Sequence, residues 1–172
     1  MLADAISSNS MICVGTLIGP ETEGPNASVA DIGTIGLIRA SREQDDGRSN
    51  LLLHGILRVR FIEWIDEKAY PYAAIEPAPN VPIDPFEASL AVSNLRSAVD
   101  QALRSFPDET KERVNETLDQ AQDNPSILAD AVAQQFIQAP AMRRQLLDEP
   151  EVAKRIKYLA DFLRNATRDE RN

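Results

Sequence analysis

The side chains that could run acid–base or nucleophilic chemistry are few in this sequence. His54 is its only histidine and Cys13 its only cysteine, and they lie far apart. One histidine and one distant cysteine cannot close a tetrahedral zinc shell. His54 falls on the polar side of a predicted strand, where a surface or packing role is typical, and Cys13 lies in an apolar run typical of a core. Neither residue indicates a catalytic or metal site.

The sequence also lacks the residue patterns of other catalytic arrangements. No lysine lies in an apolar context that would lower its pKa, as a Ser–Lys pair requires. The carboxylate pair Asp45–Asp46 lies at a predicted turn, where a solvated role is favoured. The 7 glycines are scattered and start no phosphate-binding loop. The sequence therefore predicts a protein without catalytic residues and without a cofactor.

A recognition surface is the better-supported chemistry. Arg58, Arg60 and Trp64 have even spacing on one predicted strand, so we expect them on one face, with Tyr70 or Tyr72 on the next strand. Arginine with aromatic residues is the composition of a binding patch. The alternative is that Trp64 packs against the linker or the helices while the arginines pair with local acids.

Composition restricts the partners of such a surface. The formal net charge is -9 over 172 residues, which repels nucleic acid. The first ten residues carry no basic residue and no long apolar core, so neither a signal peptide nor a membrane partner is expected. A lone cysteine fits a reducing compartment, which predicts a cytoplasmic location.

The spacing of the apolar residues, which predicts the elements that position these side chains, changes in the middle of the chain. The front half has period-two patterns typical of strands, and Gly55 inside the longest one indicates a bulge or bend that curls it around a small barrel. Asp46-Gly47 indicates a tight turn between antiparallel neighbours. Residues 19–28 are predicted to form a solvated loop. The predicted strands cover residues 11–18, 32–38, 50–65 and 69–76.

After a proline-rich linker over residues 77–85 the pattern becomes helical. Asp84, Pro85 and Glu87 have the spacing of a helix start, and an apolar stripe follows. Shorter helices start near Pro107, Asn124 and Ala139, and a last helix follows from Val152, with a charged, frayed tail from Arg164. The first stripe comprises Phe86, Leu90, Leu95, Val99, Leu103 and Phe106. We expect a β-barrel subdomain over residues 1–84 and an α-helical subdomain over residues 85–172.

Several segments resemble one known family. Residues 32–38 (IGTIGLI), 46–61 (DGRSNLLLHGILRVRF) and 70–76 (YPYAAIE) look like the core pattern of the N-terminal substrate-binding domain of Lon-type ATP-dependent proteases. The later segments PSILAD, RQLL and VAKR, which start at Pro125, Arg144 and Val152, are similar to the helical part of that domain. The resemblance covers nearly the whole chain.

The resemblance implies an α+β fold, with a small PUA-like antiparallel β-barrel followed by an α-helical C-terminal bundle. It also implies capture of unfolded or tagged polypeptide and a role in assembling the protease. The ATPase and peptidase domains of that family have no counterpart here, so no catalytic residue is carried over. The first residues look like the end of the family's opening helix, so a first strand is expected to be missing, which leaves an open barrel edge.

These observations lead to one main hypothesis and two alternatives. The main hypothesis is a non-catalytic module that binds unfolded or extended polypeptides through the Arg58–Trp64 face or a groove between barrel and helices. A protease or chaperone is a further expected partner. The first alternative is an N-terminal fragment of an ATP-dependent Lon-type serine protease. The second is a structural unit that forms a homo-oligomer through the open barrel edge.

Overall fold

The computed structural model describes residues 1–18, 29–122 and 124–169. The chain divides into two compact units, Met1–Pro79 and Asn80–Asn172, and the division falls inside the proline-rich segment predicted as a linker. The predicted loop over residues 19–28 lies outside the described residues.

The first unit is built around an antiparallel sheet. A short helix precedes four strands, which lie in the order β1-β2-β3-β4. The α+β class expected from the sequence is confirmed. Within the described residues, β1 and β4 form the two edges, so closure into a barrel stays a prediction. The elements are α1 (Leu2–Ser7), β1 (Met11–Val14), β2 (Ile32–Glu43), β3 (Ser49–Trp64) and β4 (Ala73–Pro77).

Turns and bulges in the sheet follow the glycines in two places. Gly47 has φ of 81° in the turn between β2 and β3, a conformation that glycine adopts without strain. Gly55 pairs with Gly36, but the next pair joins Leu57 to Ile35, so Ile56 is an extra residue in β3. The predicted bulge beside Gly55 is therefore confirmed.

The interior of the sheet unit is small. Among its described residues, Ala30 and Val59 are the hydrophobic side chains that are fully buried, each with 2% exposure. Gly33 lies under Phe61, because a Cβ at this position would come within 2.7 Å of the Phe61 ring. Leu52, Ile62 and Leu17 remain exposed on the surface. This unit therefore presents much apolar surface.

The second unit is helical, and its starts follow the predicted capping residues. The Asp84 side chain accepts a hydrogen bond from the Phe86 amide (2.8 Å), and Asn124 caps a later helix through the Ser126 and Ile127 amides. The helices are α2 (Pro85–Ala102), continued by a 3-10 turn (Leu103–Ser105), α3 (Asp108–Asp119), α4 (Pro125–Phe136), α5 (Pro140–Asp148) and α6 (Val152–Asp169).

The predicted stripe of α2 is wrong at its start. Leu95 is buried, whereas Phe86 is 96% exposed and Leu90 is 66% exposed. Each residue turns a helix by about 100°, so Phe86 and Leu95, nine positions apart, lie about 180° from each other. The sequence pattern merged two opposite faces of the helix.

The predicted frayed tail does not begin at Arg164, because α6 continues to Asp169; residues 170–172 of that tail lie outside the described residues. Charge does not oppose helix formation there. Arg164 pairs with Asp161 one turn earlier, and Arg168 in the last turn complements the negative end of the helix dipole.

A buried arginine connects three segments of the helical unit. Arg155 on α6 is 1% exposed and forms an ion pair with Asp130 on α4. It also donates to the side-chain oxygens of Asn80 (3.0 Å) and Ser126 (3.2 Å). The segment before α2 is thereby fixed to α4 and α6. A backbone bridge between Val81 and Glu151 supports the same attachment.

Candidate functional site

A cleft of about 460 Å³ opens at the end of β3. The sequence predicted a strand from residue 69, but β4 begins only at Ala73, and the backbone turns between β3 and β4. The Ile65 amide donates to the Tyr72 carbonyl oxygen (2.8 Å) and closes this turn. The cleft is lined by Trp64, Ile65, Asp66, Lys68, Ala69, Tyr70, Pro71 and Tyr72. The three aromatic candidates therefore lie in one cleft.

The two arginine candidates lie on the other face of the sheet. Phe61 pairs with Ile75 on β4, and the next pair joins Glu63 to Ala74, so Ile62 is an extra residue. Side chains alternate along a strand except where a bulge adds a residue, so Trp64 falls on the Phe61 face. The ring stack of Phe61 on Trp64 fits this, with centroids 5.2 Å apart. The expectation that Arg58, Arg60 and Trp64 share a face is wrong.

Arg60 has a side-chain partner on the neighbouring strand, and Arg58 is joined to the segment after β4 through its backbone. Arg60 lies opposite Glu76 on β4, and the two side chains form a partly exposed ion pair at 3.7 Å. Arg58 is half-buried, and its carbonyl oxygen accepts a hydrogen bond from the Ala78 amide (2.9 Å).

Tyr70 is held by a residue from the start of the chain. Its hydroxyl donates to Asp4 Oδ2 on α1 at 2.8 Å. This hydrogen bond, together with the positive N-terminus and Lys68, lowers the pKa of Asp4. The same bond stabilises the protonated phenol and raises the pKa of Tyr70. The ring of Tyr70 is therefore oriented within the cleft.

Sequence reasoning missed some of the cleft residues. Asp66, Lys68 and Pro71 line it, and the Phe61 ring stacks on Trp64. The polar run of residues 66–68 followed by Pro71 is a turn signal, and it could have ended the predicted strand earlier. The extra residue at Ile62 has no such signal, because neither glycine nor proline marks it.

The residues considered for chemistry lie elsewhere. Cys13 is half-buried on β1, and burial raises the pKa of its thiol, which lowers its reactivity at neutral pH. His54 is exposed on β3. In the part of the chain that the structure describes, no group of three His, Cys, Asp or Glu side chains could hold a metal ion. The described helices include none that is long and apolar enough to span a bilayer.

A sheet unit followed by a helical unit, with an aromatic cleft at a strand end, defines a two-unit α+β domain. The same architecture occurs in the N-terminal domain of the Mycobacterium avium complex Lon protease, at a TM-score of 0.64 and 16% identity over 88% of this chain and 89% of that one. A Lon N-terminal domain protein from Xanthomonas campestris is similar at a TM-score of 0.53 and 17% identity, over 92% of this chain and 79% of that one. At these identities the likeness shows the fold alone.

Sequence comparison identifies the family. Residues 1–165 match the ATP-dependent protease La (LON) substrate-binding domain. The chain belongs to this family. It is also 26% identical to Lon protease 1 of Thermus thermophilus over 97% of this chain, but it spans only 21% of that protein. The family match concerns the substrate-binding domain and includes no catalytic domain.

Proposed function

We propose that this chain is a non-catalytic module that binds unfolded or extended polypeptides, and that the cleft around Trp64, Tyr70 and Tyr72 is its binding site. One observation carries the proposal: the turn after β3 gathers these three aromatic side chains in one open cleft. Family membership supports it, because the family is described as a substrate-binding domain.

Aromatic side chains suit this task. Tyrosine and tryptophan bury large areas with few rotatable bonds, so they gain contact area at a low cost in conformational entropy. Tyr72 is 44% exposed and available for such contacts. Many sequences can satisfy an aromatic surface, as a protein that meets many unfolded polypeptides requires.

Apolar surface continues from the cleft along the sheet. Ile75 is 37% exposed and lies directly opposite Phe61, whereas Val59, further along the same face, is buried and ends this exposed apolar surface. Side chains of an extended polypeptide would find apolar contacts beyond the cleft on this face. The opposite face carries the Arg60–Glu76 ion pair, which makes the two faces chemically different.

Fluorescence anisotropy of a labelled, permanently unfolded polypeptide tests the proposal. We expect saturable binding by the purified chain, and a loss of about tenfold in affinity for Tyr72→Ala, since an interfacial aromatic residue contributes about 1–2 kcal/mol. Tyr158→Ala is the matched control, because Tyr158 is a 38% exposed tyrosine on α6.

A second comparison separates the two faces of the sheet. Arg60→Ala should leave the affinity within about twofold of the unsubstituted chain, because Arg60 lies on the face opposite Trp64. If Arg60→Ala weakened binding and Tyr72→Ala did not, the arginine face would be the site. If the anisotropy did not saturate even at high protein concentration, polypeptide binding itself would be refuted.

The second candidate function is that the chain is the N-terminal part of an ATP-dependent Lon-type serine protease. The match to about a fifth of the length of Lon protease 1 supports it, since 97% of this chain aligns there. Polypeptide capture would then supply a protease on the same chain. The coding DNA beyond Asn172 decides this: an ATPase reading frame that continues from it supports the candidate, and a stop codon refutes it.

The third candidate is a structural unit that oligomerises through the sheet edge. β1 (Met11–Val14) pairs with β2 on one side and is an edge strand within the described residues, so its other side could pair with a second copy. Sedimentation over a range of concentrations tests it, and a monomer at every concentration would eliminate it. A protease or chaperone partner and a cytoplasmic location stay predictions.

A further inference from the structure

The aromatic rings of the cleft are held before any ligand arrives. Phe61 stacks on Trp64 at an interplanar angle of 20°, and Asp4 accepts a hydrogen bond from Tyr70. Two of the three rings are therefore fixed by neighbours within the sheet unit. A fixed ring loses little freedom on binding, which favours interactions that depend on ring geometry.

The charges around these rings are unequal. Asp66 and Lys68 line the cleft, Glu67 lies between them in the sequence, and Asp4 contacts Tyr70. Lys68 is close enough to Asp4 that, after the Tyr70 hydrogen bond and the N-terminus, its charge helps to lower the pKa of that carboxyl. Counting Asp4, Asp66 and Glu67 against Lys68 and the N-terminal amine leaves one negative charge in excess around the cleft.

Tryptophan, tyrosine and a carboxylate in one cleft fit a cation. The face of an aromatic ring is negative and attracts ammonium and guanidinium groups, with tryptophan the strongest of the aromatic side chains. A nearby carboxylate adds a charge-assisted contact. The overall charge of -9 favours the approach of basic segments.

We propose that the cleft binds a lysine or arginine side chain of the captured polypeptide, with the cation against the rings of Trp64 and Tyr72 and Asp66 as its counter-charge. This inference rests on the proposed function and specifies which segments are preferred. Basic residues flanked by apolar ones would be held best, because the exposed apolar face around Ile75 continues from the cleft.

Short labelled peptides with one variable position test the inference. Three peptides share an extended apolar sequence and differ only in a central arginine, citrulline or norleucine. Citrulline keeps the shape of arginine without its charge. We expect the arginine peptide to bind about two- to fivefold more tightly than the other two, as one exposed cation–π contact supplies. The preference should shrink in high salt.

Trp64 supplies a direct readout. It is the only tryptophan in the chain. Its fluorescence is expected to change when the arginine peptide saturates the protein and to change less with norleucine. Asp66→Asn should remove most of the charge preference. Glu43→Gln is the matched control, because it removes the same charge at the far end of β2, opposite Ser49.

The outcomes separate this inference from the proposed function. Equal affinities for the three peptides would overturn the cation preference while leaving polypeptide binding intact. A preference that Asp66→Asn and Glu43→Gln weaken equally would show general attraction by the acidic chain, which also overturns it. Tyr72→Leu should also reduce the preference, and as a second variant beside Asp66→Asn it leaves Trp64 and Phe61, which form the ring stack, unsubstituted. Failure of all three peptides and of an unfolded polypeptide to bind would refute the proposed function itself.

Discussion

Replacing Asp130 with alanine should destabilise the helical unit far more than its exposed position suggests. The Asp130 side chain is 57% exposed, but its partner Arg155 is 1% exposed. The substitution leaves a buried guanidinium without the carboxylate that pairs with it in the structure. A buried charge that loses its ionic partner costs about 3–5 kcal/mol.

The expected magnitude is smaller than that range. Water reaches the Asp130 side of the pair, and the oxygens of Asn80 and Ser126 continue to accept hydrogen bonds from Arg155. We therefore expect a loss of about 2 kcal/mol in the free energy of unfolding. Arg155→Met should cost less, about 1 kcal/mol, since it removes the buried charge itself and leaves Asp130 to be hydrated.

Urea unfolding followed by far-UV circular dichroism measures this loss, because most helices belong to the second unit. A loss of about 2 kcal/mol moves the midpoint by about 1 M urea at a typical slope. Asp161→Ala is the control, because it breaks two partly exposed pairs on the same α6 helix, with Lys157 and Arg164, where a total cost below about 1 kcal/mol is expected.

Two results would refute the reasoning. If Asp130→Ala and Asp161→Ala shifted the midpoint equally, the burial of Arg155 would not matter for stability. The second result concerns the double variant: Asp130→Ala should cost less than about 0.5 kcal/mol when Arg155→Met is already present. A full additional loss would show that Asp130 acts independently of Arg155.

Three further outcomes are expected. Gly33→Ala should destabilise the sheet unit and alter Trp64 fluorescence, because the added Cβ would lie 2.7 Å from a backbone oxygen of β1. Gly55→Ala is its control and should fold normally, because the nearest atom to the added Cβ is 3.7 Å away. Tyr70→Phe should raise the pKa of Asp4 towards its ordinary value in an NMR titration, because it removes the hydrogen bond from the Tyr70 hydroxyl. That bond stabilises the fold at pH values above the ordinary pKa of Asp4, and the stabilisation is lost as the pH falls through the lowered pKa of the folded protein. Phe86→Ala should cost less than about 0.5 kcal/mol in thermal unfolding, against the 3–5 kcal/mol of a buried phenylalanine.

Local signals in the sequence predicted the elements whose causes are local. The Asp84 and Asn124 caps mark helix starts because their side chains satisfy amides a few residues later. Gly47 marks the turn between β2 and β3, because positive φ depends on the residue itself and glycine adopts it without strain. These predictions needed no knowledge of tertiary contacts.

Predictions about which face of an element a side chain occupies failed in one strand and in one helix. An extra residue at Ile62 reverses the alternation between Arg60 and Trp64, and no glycine or proline reveals it. In α2, Phe86 and Leu95 were joined in one stripe although helical geometry separates them. The error in α2 could have been avoided by counting residues, because the angle between two helical positions follows from helix geometry alone, whereas the position of the bulge at Ile62 depends on strand pairing.

The irregularity at Ile62 links the fold to the proposed binding. Strict alternation would place Trp64 on the Arg60 face; the extra residue instead places it against Phe61, beside the turn that carries Tyr70 and Tyr72. The fully buried hydrophobic cluster belongs to the helical unit, whereas the sheet unit keeps apolar side chains exposed. Because a stable core and an exposed binding surface place opposite demands on apolar residues, we infer that the helical unit supplies most of the stability and that the sheet unit serves recognition. Substitutions in the cleft should accordingly alter binding at little cost in stability, and those around Arg155 should do the reverse.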